Sequence, residues 1–423
     1  MAVISKTVFF ATSREFDMTH GVGGSTIESE LSKIFSSREK AVAITLDEYQ
    51  SRLVKVRNLM NQKSINALYL DATTSLRYFT GLSCYPSERL HGALVFADGG
   101  LTYICPAFEE NKILASLVIE GDFLLWQEHE SPTEKISSLL GKMAANEPFK
   151  LAIDDLTPFF TASRLQAASS RLEVVNGEAI ISQCRRIKTA VELDLLRGAK
   201  QITMGVQRST AAILEPGIDT RTVQDFLDSA HIAAGMDGRS TFKIVLFGQP
   251  TAFPHGVPYP QVLQEGDMVL IDTGATLHGY HSDITRSYVL GEPNTRQRNI
   301  WQIEKEAQVA AFSAAQPGQF CSAPDEAARK VIESAGLGPG YQVPGLPHRT
   351  GHGVGMDVHE HPYIVGGNDL ELTPGMCFSI EPMICIYGEF GIRLEDHAYI
   401  TDEGPEWFTE PSESIDNPLN LTV

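Results

Sequence analysis

The sequence predicts two tandem units of mixed α and β structure: an α/β domain over residues 45–183 and an α+β domain over 184–423, behind an extension of residues 1–44. Three observations carry that division. Up to about residue 183, short apolar strands alternate with amphipathic helices; past it, helical patterns lengthen and strands are set apart by Gly and Pro turns. A ten-residue motif then occurs twice within the second unit.

Residues 1–44 carry Ser and Gly with weak periodicity, the mark of a segment that packs on the body or stays mobile. In "TLDEYQSRLVKVRNLMNQKSI" the apolar residues recur at helical spacing behind a Thr45 cap, with Asp47 and Glu48 in the first turn. "NALYLDA" and "GALVFADGGLTYIC" read as strands, the second a hairpin turning at Asp98-Gly99-Gly100. "KLAIDD" and "LEVVNGEAI" continue the pattern. From "TAVELDLLRGAKQITMGVQRSTAAIL" onward the helices lengthen, with further ones expected over 219–236 and 295–315.

A 423-residue chain with 43% hydrophobic residues can bury large cores and suits two to three domains. Its formal charge of −19 opposes general binding to nucleic acid or anionic membrane, which takes clustered Lys and Arg. Small substrates or other proteins are the expected partners. No run approaches the ~18 apolar residues of a membrane span. The start, "MAVISKTVFFATSREFD", has one short apolar run and no cleavage pattern, so a cytoplasmic location is expected. Six cysteines without metal-ligand spacing fit reduced thiols there; Cys184, beside Arg185 and Arg186, has a case for a lowered pKa but no placed base.

"LQEGDMVLID" (263–272) and "LTPGMCFSIE" (372–381) share Leu-x-x-Gly, an apolar strand and a final carboxylate, Asp272 or Glu381. Each acid is followed by a sequence able to return as a hairpin. A two-residue loop at Leu277-His278 would set Asp272 opposite Asp283, and a loop centred on Gly388 would set Glu381 opposite Glu395; opposed residues have Cβ atoms about 4.5 to 5.5 Å apart. The hairpins then stand as internal duplicates. The alternative is two unrelated hairpins whose acids end strands in water. If the hairpins converge, the carboxylates cannot all stay ionised without a counter-charge. One divalent cation would leave the set negative, whereas two would neutralise it.

The ordered set "IDTG" (Asp272), "SDITR" (Asp283), "GHGVG" (His352), "SIEP" (Glu381) and "RLED" (Glu395) resembles the dinuclear metallopeptidases of the pita-bread superfamily, that of creatinase and methionine aminopeptidase. "FPHG" (His255), "PHRTGHG" (His348) and "DVHEHP" (His359) are similar to its Xaa-Pro branch, aminopeptidase P and prolidase. The likeness runs from about residue 44 onward and comes nearest to bacterial Xaa-Pro dipeptidases.

The resemblance implies a creatinase-like α/β N-terminal domain, then an α+β pita-bread catalytic domain with an internal pseudo-two-fold repeat. It implies two divalent ions, Asp272 on one, His352 and Glu381 on the other, and Asp283 and Glu395 bridging both. Mn is first among the candidates, with Co, Zn or Fe as alternatives for so oxygen-rich a set. A hydroxide bridging the ions would attack the scissile carbonyl. Glu381 would shuttle the proton, His359 would steady the oxyanion and His255 would position substrate. His348 would contact the proline residue, and Arg349 and Arg393 complete the substrate-side set, Arg393 by bracing the ligand acids.

The expected reaction is hydrolysis of Xaa-Pro dipeptides by a homodimer. The alternatives are aminopeptidase P-type release of an N-terminal residue, or a non-peptidase relative: an organophosphate hydrolase, a lyase or a creatinase-like enzyme. Asp357, Glu360 and His361 are expected to cap, solvate or stand by, and His278 and His281 to be structural.

Two departures stand out. Aminopeptidase P has a tyrosine where this chain has Thr241, with Tyr280 the nearest substitute in sequence. Many prolidases place an arginine where Tyr363 stands, to hold the carboxylate of a dipeptide; Arg349, or Arg89 of the partner subunit, is the candidate replacement. Tyr363 also excludes an HExxH helix, which needs histidine there.

Overall fold

The computed structural model describes residues 21–143 and 148–421; residues 1–20 of the expected extension lie outside that range. Residues 21–38 pack on the second domain, and Ala41 and Ile44 reach the core of the first. Val22, Leu31 and Ile34 join the core of the second domain, and the Gly23 and Ser25 amides donate to the Ala211 and Ala212 carbonyls at 2.8 and 2.9 Å. Arg38 adds an ion pair to Asp237 at 2.6 Å.

In the first domain, helix Leu46–Gln62 begins where Thr45 Oγ1 accepts from the Glu48 amide at 3.3 Å, and it buries Leu53, Val56 and Met60. It lies on a six-stranded mixed sheet. The strand order is Asp122–Trp126, Leu101–Pro106, Gly92–Phe96, Ala67–Asp71, Phe149–Ile153, Leu172–Asn176. Ala67–Asp71 is buried along its whole length, which is why it reads as a continuous apolar run. It pairs antiparallel with Gly92–Phe96 and parallel with Phe149–Ile153. Burial pushes the Cys184 thiol up to about 11, so the neighbouring arginines do not activate it.

The second domain is built from two units of like topology. Each opens with a helix pair: Ala190–Ala212 with Thr220–Ala233, and Thr295–Ala314 with Ser322–Ser334. Each continues into an antiparallel ladder whose second strand is central. In the first unit the strands are Phe242–Phe247, Met268–Gly274 and Ile284–Val289; in the second they are Gly351–Gly353, Cys377–Ile380 and Asp396–Ile400. Glu360–Ile364 and Pro405–Trp407 widen the second sheet. Both central strands follow a glycine of positive φ, Gly266 at 86° and Gly375 at 87°, where an L side chain would be strained. The repeated motif thus lies at equivalent places in an internal repeat.

A buried polar joint connects the domains. Arg52, from helix Leu46–Gln62, donates to the Tyr280 hydroxyl at 2.9 Å and pairs with Glu192 at 3.3 Å, while Tyr280 donates to Glu192 at 2.9 Å. Among the described residues, no helix is long and apolar enough to cross a membrane.

Candidate metal centre

Strand ends from both repeats meet at one place. The ladder pairs Asp272 with Thr285, because the tight turn falls at His278-Gly279, where φ is 51° and 85°, and not at Leu277-His278. Moving the turn by one residue shifts the pairing by two. Asp283 therefore keeps the same face as Asp272 but lies diagonal to it, not opposite. In the second repeat the register is the expected one: Ile380 faces Asp396 and Met383 faces Arg393, which aligns Glu381 with Glu395 where Pro382 interrupts the ladder.

His352 enters from Gly351–Gly353. A Cβ on Gly351 would fall 1.9 Å from the Ser379 carbonyl oxygen, and one on Gly353 2.5 Å from the His361 backbone, so only glycine lets the strands approach this closely. The His352 Nδ1–H donates to Gly353 O at 3.0 Å, which turns Nε2 toward the acids, 2.9 Å from Glu381 Oε1 and 3.5 Å from Asp283 Oδ2. Asp283, His352 and Glu395 each offer a ligand atom within 4.8 Å of the others. Ser379 Oγ accepts from the His352 amide and donates to Glu381 Oε1, both at 2.9 Å. Arg393 donates to Asp272 Oδ2 at 2.5 Å and to Thr285 Oγ1 at 3.1 Å, and Thr285 donates to Glu395 Oε2 at 2.7 Å.

Those bonds leave Asp272 Oδ1 and Glu395 Oε1 buried without a hydrogen-bond partner among the described residues. Burial pushes the carboxyls of Asp272, Asp283 and Glu395 up, and the neighbouring acids push Asp283 and Glu395 further. Glu381 goes the other way. Burial disfavours its charge, but His352, His348 and Arg393 outweigh it and hold the carboxyl well below the usual range. Partnerless carboxylate oxygens, mutually repelling acids and one imidazole nitrogen turned toward them make a donor set suited to hard or borderline divalent cations.

Residues 194–402 match metallopeptidase family M24, and residues 52–187 match the creatinase/prolidase N-terminal domain. An Xaa-Pro dipeptidase of Lactobacillus delbrueckii subsp. lactis is 33% identical over 366 residues, 86% of this chain and 98% of that protein. The crystal structure of dipeptidase PepE from Mycobacterium ulcerans has a TM-score of 0.80 at 32% identity, covering 87% of this chain and 97% of that one. Prolidase from Thermococcus sibiricus gives 0.78 at 30% identity, covering 86% and 97%. The chain belongs to metallopeptidase family M24. Its architecture is that of a creatinase-like domain followed by a pita-bread catalytic domain, and the family implies divalent metal at the centre just described.

In this M24 peptidase the remaining expected residues ring the acids. The His359 ring, partly open to solvent, meets that of His352 edge-on at 4.2 Å, and partial desolvation, with His352 beside it, lowers its pKa to about 4. His348 donates from Nδ1 to Arg349 O at 2.6 Å and keeps a buried, partnerless Nε2. His255 is exposed at the rim, close enough to add its charge to His348 and His359. Arg349 lies over the ring of Tyr363 at 4.3 Å, so the tyrosine found where prolidases place arginine supports an arginine from elsewhere. Arg89 pairs with Glu88 and Glu128 on the first domain. Arg393 is 3% exposed and its guanidinium contacts Asp272, Thr285 and the Pro254 carbonyl, so it faces the acids, not open cleft.

Two further expectations are corrected. Tyr280 cannot stand in for the tyrosine missing at Thr241, because its hydroxyl is held by Arg52 and Glu192 at the domain joint. Thr241 Oγ1 instead donates to Gly274 O at 3.2 Å and lies 3.4 Å from His281 Nδ1. Asp357 and Glu360 neither solvate nor cap; both pair with Arg185.

A polar stripe on helix Ala190–Ala212 is absent from the expected set. Gln207 donates to the Ile271 and Ile284 carbonyls, both at 3.0 Å, clamping the Asp272 strand to its neighbour, and Thr203 bonds Ser282 at 2.6 Å. Lys200, fully buried, donates to His281 O at 3.3 Å; burial lowers its pKa to about 8, against the pull of Cys377, Asp283 and Glu395. The available signal is polar residues at the 3- and 4-residue spacing of an apolar helix face: Lys200, Thr203 and Gln207, in line with Leu196.

Proposed function

We propose that the chain hydrolyses Xaa-Pro dipeptides using two divalent ions, with manganese the first to test and Co, Zn or Fe the alternatives. The observation that carries this reading is the unmet demand for cations at the centre: partnerless Asp272 Oδ1 and Glu395 Oε1 beside Asp283, Glu381 and His352 Nε2. Support on the substrate side is the likeness to the Lactobacillus Xaa-Pro dipeptidase along 98% of that protein.

Asp272, Asp283, His352, Glu381 and Glu395 would hold the ions. When bound, the ions supply a nucleophile at neutral pH and Lewis-acid polarisation of the scissile carbonyl. Glu381, whose Oε1 lies against His352 Nε2 and Ser379 Oγ, would carry the proton toward the departing proline nitrogen. His359, neutral at pH 7, donates an N–H to the developing oxyanion. Arg349, lying on Tyr363, supplies the cation for the free carboxylate of a dipeptide, and His255 and His348 flank the bound proline residue. An Xaa-Pro bond has no amide hydrogen, so a site that grips the carboxylate end suits it better than one that grips the peptide N–H.

Manganese-loaded protein should cleave Ala-Pro or Leu-Pro far faster than Xaa-Pro-Xaa tripeptides. The reverse preference would identify an aminopeptidase P. Turnover of phosphotriesters without peptide cleavage would identify an organophosphate hydrolase.

A further inference from the structure

We infer that Arg185 and Lys188, in the linker between the domains, position His359 through a buried ion cluster that ties its loop to the first domain. The inference rests on the peptidase reading above for its kinetic readout.

The loop from His352 to His359 carries its acids inward. Glu360 accepts from Arg185 Nη2 and Lys188 Nζ, both at 2.5 Å, and Asp357 accepts from Arg185 Nη2 at 2.7 Å and from Thr74 Oγ1 at 2.6 Å. Glu360, Arg185 and Lys188 are 8%, 7% and 5% exposed. Thr74 opens helix Thr74–Thr80 of the first domain and Arg185 closes helix Glu178–Arg185, so the cluster spans both domains. A Cβ on Gly355 would lie 2.4 Å from Glu360 Oε1, so the carboxylate is packed directly against the loop backbone.

Two acids meet two cations, and the cluster is electrically balanced. Balance removes the penalty of burying charge but gives little net stability, since apolar residues of similar volume would do as well; what such a cluster adds is a fixed geometry. The geometry fixed here is that of His359, adjacent to Glu360 in the chain and 4.2 Å from the ring of His352. Arg185 and Lys188 act through the loop and touch no substrate, so they are positioning residues.

The test is the paired substitution Lys188→Met with Glu360→Gln, which leaves Arg185 and Asp357 paired and no lone buried charge. With manganese and Leu-Pro, kcat should fall about tenfold to a hundredfold, with KM within about twofold and metal content unchanged. In a His359→Ala background the same pair should change kcat by less than about twofold. An equal fall in both backgrounds would overturn the inference, because the cluster would then act independently of His359. Arg185→Lys keeps the charge but loses the fork, and should lower kcat without lowering the melting temperature; an unchanged kcat counts against positioning. A readout independent of peptidase activity is the His359 ring signal in 15N-histidine-labelled protein, identified by its loss in His359→Ala. It should move in the paired variant, and an unmoved signal overturns the inference whatever the substrate. A moved signal in a protein that cleaves no Xaa-Pro peptide would instead overturn the peptidase reading alone.

Discussion

Residues 351–362 connect two buried charge clusters of opposite character. At one end His352 joins Asp272, Asp283, Glu381 and Glu395, with Arg393 the cation in contact. At the other, Asp357 and Glu360 meet Arg185 and Lys188. Burial opposes ionisation of Glu360, yet Lys188 and Arg185 hold its carboxyl below the ordinary range, whereas Asp283 and Glu395 are pushed up by burial and by acids they cannot escape. Burying acids does not by itself mark a site. A shortage of cations does, and the difference separates a place for ions from a scaffold.

That contrast can be broken by substitution. Asp283→Asn should lower kcat on the order of a thousandfold and strip metal from the protein. The metal-free variant should nevertheless melt no lower than the parent, because one of several repelling acids is gone. Glu360→Gln should do the opposite to the metal-free fold, costing about 3 to 5 kcal/mol in denaturant unfolding, since two buried cations lose a partner. If both variants unfold alike, the contrast fails.

A buried neutral group calibrates the scale. His231, bonded to Thr203 and Ser240 at 3.1 and 2.9 Å, has its pKa lowered to about 4 by burial. The unfolded ring takes a proton near 6.5. Between about pH 6.5 and 4 the unfolded state therefore binds more protons, so stability is full above pH 6.5 and falls by up to about 3 kcal/mol as the pH drops through that window. His231→Gln should flatten the slope of unfolding free energy against pH there. The smallest effect belongs to the domain joint: Tyr280→Phe should cost about 1 to 3 kcal/mol and leave manganese binding unchanged, as calorimetry would show.

The fold is legible because its signals are local. Period, caps and the glycines at 266 and 375 mark each strand and helix, and the duplicated motif sets Asp272 and Glu381 at equivalent strand ends. Register is less legible. His278 and Gly279 both take a positive φ, and whether the two-residue turn falls on them or one residue earlier decides whether Asp272 faces Thr285 or Asp283. Partners distant in the chain leave no local trace at all. Glu360 finds Arg185 across 175 residues of chain and Tyr280 finds Arg52 across 228, so one reads as a solvated acid and the other as a free hydroxyl until the domains are docked.

Calorimetric titration of the metal-free chain with Mn(II), with melting followed at each step, is the most direct measurement. A centre short of cations should take up two ions per chain and melt at a higher temperature as each binds. A chain that binds no ion, or whose melting temperature manganese leaves unmoved, would contradict it.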